Sequence, residues 1–82
     1  MNLRKRNIRV ATIFEPDGRI RPVWFAWNRE KRTVIETTYT WEERRGEARL
    51  YHFAVRDAGG LYELVYDATD QSWCLAGLDA TP

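Results

Sequence analysis

A small antiparallel all-β domain is predicted by three features of this 82-residue chain. Apolar and polar residues alternate with period two, β-branched and aromatic residues crowd the alternating stretches, and short turn signals separate them. The turn signals are Glu15-Pro16-Asp17-Gly18, Asn28-Arg29-Glu30-Lys31, Arg44-Arg45-Gly46, Asp57-Ala58-Gly59-Gly60 and Ala68-Thr69-Asp70-Gln71. Tight hairpins need Gly, Asn, Asp or Pro at such bends, because these residues reach turn dihedrals at low cost. The expected architecture is a six-stranded antiparallel meander, either a strongly twisted sheet or a small SH3-like barrel.

The expected strands run over residues 7–14, 20–27, 32–41, 47–56, 61–67 and 72–78. In the first, Ile8, Val10 and Thr12 alternate with Arg9 and Ala11 up to the Pro-Asp-Gly turn. The second is apolar on both sides, with Val23, Phe25 and Trp27 alternating against Trp24 and Ala26, so either Trp24 is exposed or the strand is covered on both faces. The third has Thr33, Thr37, Thr38 and Thr40, which suit strands, while adjacent Val34 and Ile35 leave its facing open. The polar segment Thr40 to Arg49 reads as an exposed loop.

The last three strands have a definite register. A hairpin centred on Ala58-Gly59 sets Phe53 opposite Leu64 and Val55 opposite Tyr62, and one centred on Thr69-Asp70 sets Tyr66 opposite Trp73 and Leu64 opposite Leu75. Both turns place Tyr51, Phe53, Val55, Tyr62, Leu64, Tyr66, Trp73 and Leu75 on one face, and a slip of one residue in either would expose half of this set. That face is the expected core. His52, Ala54, Arg56, Glu63, Val65 and Cys74 fall on the other, expected to be partly solvated.

Residues 1–82 form one expected domain, with a flexible basic arm at 1–6 and a tail at 79–82. At this length only roughly 60% of the unfolded surface is buried, so four Trp, four Tyr and three Phe supply much of the core. The single cysteine, Cys74, forms no internal disulfide, which points to a cytoplasmic setting. The basic start is followed by a segment containing Arg9 and a Pro-Asp-Gly turn, unlike a signal peptide, and no 18-residue apolar run predicts a membrane helix.

The usual catalytic constellations are missing from the sequence. Its one Ser (Ser72) has no evident base, and its one His (His52) and one Cys have neither CxxC nor HxxxH spacing for zinc. A Cys74–His52 pair is geometrically possible, since the register sets His52 across from Val65 and Val65 across from Cys74, but Cys74 reads more simply as an inert small apolar residue. Gly59-Gly60 joins two strands and opens no helix, so it cradles no phosphate. Glu42-Glu43 and Asp67 with Asp70 read as solvated loop acids. The expectation is a non-enzymatic module with no cofactor, no metal and no small-molecule substrate.

Charge is lopsided. Residues 1–32 hold nine Lys or Arg against three acids, a balance of +6, while residues 33–82 hold four against nine, a balance of −5; together they give the net +1. Eleven of the thirteen cations are Arg, whose guanidinium pairs bidentately with phosphate and stacks on bases. Arg4, Lys5 and Arg6 form a candidate nucleic-acid-binding arm, with Arg9, Arg21 and Trp24 on the adjacent strands and Arg32, beside Arg29 and Lys31, at one rim. An arginine-rich edge strand that discourages sheet pairing is the plainer reading of the same residues. The alternative to nucleic acid is a protein partner, including self-association through a sheet edge.

The order Pro22-x-x-Phe25-x-Trp27, Val34, Trp41, Tyr51-x-Phe53-x-Val55, Tyr62-Glu63-Leu64, Asp67, Trp73-x-Leu75 and Asp79 resembles an uncharacterised family of small bacterial all-β domains. The resemblance covers about Ile8 to Asp79. Members of that family sometimes occur beside or fused to error-prone DNA polymerase components, so the resemblance implies a setting near DNA; it supplies no catalytic or binding residue.

Overall fold

The computed structural model describes residues 6–79, with side chains for residues 7–77. Eight strand segments follow in order: β1 (Arg6–Asn7), β2 (Val10–Phe14), β3 (Ile20–Trp27), β4 (Glu30–Thr33), β5 (Glu36–Arg45), β6 (Ala48–Arg56), β7 (Leu61–Asp67) and β8 (Ser72–Asp79). They form two antiparallel sheets, one in the order β1-β8-β7-β6-β5 and one in the order β2-β3-β4. Of the expected arm only Arg6 is described, its backbone paired with Leu75, and of the tail only Asp79.

The single six-stranded meander is corrected here, and the sheets do not close into a barrel. Two expected strands break. The first divides at Ile8-Arg9, where the Ile8 amide bonds the Trp73 carbonyl of the large sheet and the Arg9 carbonyl accepts from Ala26 of the small one. The third divides at Val34-Ile35, where the Val34 amide goes to Val23 and the Ile35 amide to Arg56. Each break hands the chain from one layer to the other, so two short sheets share one core, as small sandwiches do at their corners. Val34 packs against that core and Ile35 is exposed.

Register in β6, β7 and β8 is as the turns dictate: Phe53 pairs with Leu64, Val55 with Tyr62, Tyr66 with Trp73 and Leu64 with Leu75. These residues form the buried cluster with Phe25, which the small sheet contributes, and Tyr51 packs against it half-buried. Phe25 meets Tyr62 edge to face at 5.0 Å, and Phe14 meets Tyr66 at 5.9 Å, so ring contacts join the layers. Edge-to-face pairs add about 0.5–1.5 kcal/mol to the gain from burying their area.

Turn chemistry sets the hairpins. Asn28 and Arg29 both have positive φ (56° and 66°), the dihedrals of a type I′ turn between β3 and β4, and Gly46 at φ 61° opens the two-residue bend between β5 and β6. The expected loop at Thr40 to Arg49 is therefore a hairpin, with β5 running through Arg45 and β6 starting at Ala48. Its polarity reflects position: β5 is an edge strand whose residues are exposed on both faces, apart from half-buried Glu43.

Candidate nucleic-acid interface

Three strands build the face. Val10 pairs with Phe25 and Ala11 with Trp24, but Thr12 then pairs with Pro22 and Ile13 with Arg21, so β3 carries one extra residue, Val23. Pro22 has no amide hydrogen to give a ladder, and a bulge is where a sheet tolerates that. The extra residue reverses the alternation of β3. Ile20, Pro22, Phe25 and Trp27 turn toward the core side, and Arg21 and Trp24 share the other side with Ala11 and Ile13.

This resolves the facing left open by the sequence. Ala26 stands between the Arg9 carbonyl, which accepts its amide, and Lys31, its partner on β4. Arg9 and Lys31 are therefore the two diagonal neighbours of Trp24 across β3, a separation of about 7–8 Å between such positions. Lys31 Nζ lies over the Trp24 ring, 4.9 Å from its centroid, while Trp24 is half-buried and Arg9 exposed. Arg21, at the far end of the face, is held by Glu15 with an Nη2–Oε2 distance of 3.1 Å.

The sequence-selected residues thus divide. Arg9, Arg21 and Trp24 come together on one side of the small sheet. Arg32 pairs with Phe25 in register and belongs to the opposite side, where it bridges Asp57 (3.3 Å) and Glu30 (3.0 Å) above the Tyr62 ring. Arg4 and Lys5 lie outside the described residues, as does the Arg6 side chain. Lys31, which the sequence left at a rim, joins the face through its pairing with Ala26.

A second constellation was not anticipated. On the outer side of the large sheet, expected to be partly solvated, His52 and Val65 are buried. Trp41 of β5 stacks on the His52 ring at 4.7 Å and 15°, and Tyr39 lies 5.4 Å from Trp41. His52 Nδ1 is 2.8 Å from Glu63 and Nε2 is 2.8 Å from Glu43, so both ring nitrogens face a carboxylate. Arg45 donates to Glu43 as well, and that bond, followed by the one from His52, holds the Glu43 carboxyl below its usual value of 4.5. The chain Arg45–Glu43–His52–Glu63 links three strands by side-chain hydrogen bonds, and its clue in the sequence was the register that places Trp41 beside His52. Val65 pairs with His52 on one side and with Cys74 on the other, as the turns dictate, so Val65 lies between the two.

Among the described residues no group of three or more His, Cys, Asp or Glu is placed to hold a metal ion. An open cleft of about 1090 Å³ lies between the β2–β3 turn and the β5–β6 hairpin, with Ile20, Thr40, Tyr51 and Phe53 among its lining residues. No helix among the described residues is long and apolar enough to cross a membrane. Comparison with protein-family models, curated proteins and solved structures returned no match.

Proposed function

We propose that this domain is a non-enzymatic, cytoplasmic accessory module that binds single-stranded nucleic acid on the outer side of β2–β3–β4. The observation that carries the reading is the β3 bulge, which puts Arg9, Arg21, Trp24 and Lys31 on one side of one sheet. Cations flanking a ring combine phosphate neutralisation with base stacking, and stacking requires a base freed from its duplex. In the bound state Lys31 moves from the ring face to a phosphate and a base takes its place on Trp24. The resemblance to domains encoded beside DNA polymerase components points to the same ligand class.

Binding of a labelled 20-nucleotide single strand, followed by anisotropy from 50 to 300 mM salt, tests the reading. Neutralising about four phosphates predicts a slope near −3 in log affinity against log salt, with weaker binding to duplex of the same sequence. Absence of binding at 50 mM salt overturns it.

A further inference from the structure

The large sheet ends at β5, a ten-residue strand with β6 on one side. Arg45 and Ala48 close the two-residue bend at Gly46-Glu47, so they exchange both backbone hydrogen bonds. Antiparallel ladders alternate, so Glu43, Trp41 and Tyr39 bond to β6, and the amides and carbonyls of Thr40, Glu42 and Arg44 point outward. Beside this open ladder stand two of the large exposed apolar rings of the molecule, Tyr39 at 65% and Trp41 at 37% exposure.

We propose that two copies of the chain pair antiparallel along β5, about a two-fold axis at Thr40. Cross-strand partners must lie on the same side of a sheet, which restricts the axis to passing through a residue. An axis at Glu42 opposes two carboxylates, and one at Trp41 sets Glu43 against Tyr39. An axis at Thr40 sets Tyr39 of each copy against Trp41 of the other, at the closer non-hydrogen-bonded positions, and Thr40 against Thr40 on the reverse side. Aromatic pairs and Thr–Thr pairs are among the stabilising cross-strand combinations. The ring row His52–Trp41 then continues into Tyr39 of the second copy.

A second copy is favoured over a foreign strand because this register is complementary to itself. The bulge at Thr38 and the charges from Glu42 to Arg45 confine pairing to about five residues per chain. Such an interface is small, and the dimer is correspondingly weak and concentration-dependent. The edge is built from β5, the proposed nucleic-acid face from β2–β4, so either reading stands or falls without the other.

Sedimentation velocity between about 1 and 500 µM tests the inference. Wild type is expected to shift from monomer to dimer within that range. Thr40→Pro removes an outward amide that β6 does not use, and Thr40→Lys sets two ammonium groups face to face across the axis. Each is expected to weaken association at least tenfold, and circular dichroism and thermal melting identify any variant that has lost its fold. Monomer at every concentration overturns the proposal, as does a dimer that both folded variants retain, or assembly that continues past two.

Discussion

The Arg32 guanidinium lies 3.3 Å from the Asp57 carboxylate and thereby ties β4 of the small sheet to the β6–β7 bend of the large one. Asp57 is 5% exposed, and its other oxygen accepts the amides of Gly59 (2.7 Å) and Gly60 (2.9 Å). One carboxylate therefore shapes the bend and joins the layers. Asp57→Ala removes both functions and leaves a guanidinium whose Nε is already buried with no hydrogen-bond partner among the described residues. Its expected cost is about 3 kcal/mol in urea unfolding, within the range for breaking a buried pair from one side. Asp57→Asn retains an acceptor for the two glycine amides and is expected to cost about half as much. Equal costs for the two substitutions would show that the link to Arg32, and not the bend, governs stability.

The division of cations between the two sides of the small sheet predicts an unequal response in nucleic-acid binding. Arg9→Ala and Lys31→Ala should each weaken single-strand binding and lower the salt slope by about 0.7, the share of one phosphate on a single strand. Trp24→Ala should cost about 1–3 kcal/mol with the slope unchanged, because stacking releases no counterions. Arg32→Ala should leave the slope as it is while lowering stability, since its charge is spent on Asp57 and Glu30. Titrations of the four variants over a salt series separate these effects, and a slope change in Arg32→Ala alone would move the interface to the other side of the sheet.

The readable and unreadable parts of the sequence differ in how many constraints acted on them. In β6, β7 and β8, two turns and one ring-bearing face had to agree, which left a single register for Phe53, Leu64 and Trp73. β3 gave its limits, Ile20 to Trp27, but not its facing, because one bulged residue changes parity without changing composition. Pro22 was the available sign of it. The second half of β5, from Thr40, looked like a loop because an edge strand exposed on both faces has no dry side, so its alternation there is polar against polar. The corners at Ile8-Arg9 and Val34-Ile35 left no mark beyond ambiguous facing, since a strand that changes layer turns the same core side inward before and after its bend.

Acid should weaken the large sheet through Glu43. Arg45 and then His52 hold this carboxyl below 4.5 by hydrogen bonding, against a smaller opposing effect of burial. The ionised form is thus favoured in the folded state. Its contribution is complete above pH 4.5 and is lost as the pH falls through the lowered folded value. Glu43→Gln should be less stable than wild type at pH 7, and the gap should narrow below pH 4.5. Urea midpoints at pH 7, 4.5 and 3 measure this, and a gap that stays constant would show that Glu43 acts there without its charge.

Alkali should act through Tyr62, which is 5% exposed and raised above its usual value of 10, first by burial and then by the Asp57 charge, with Arg32 opposing. A phenol held in its neutral form by the fold contributes fully below pH 10, and that contribution disappears as the pH rises toward the higher folded value. The unfolded chain ionises first, and stability falls. Tyr62→Phe keeps the ring against Phe25 and has no proton to surrender. The variant should therefore decline less steeply than wild type above pH 10. Urea midpoints at pH 7, 10 and 11 decide the matter: parallel declines in the two proteins would place the alkaline sensitivity elsewhere.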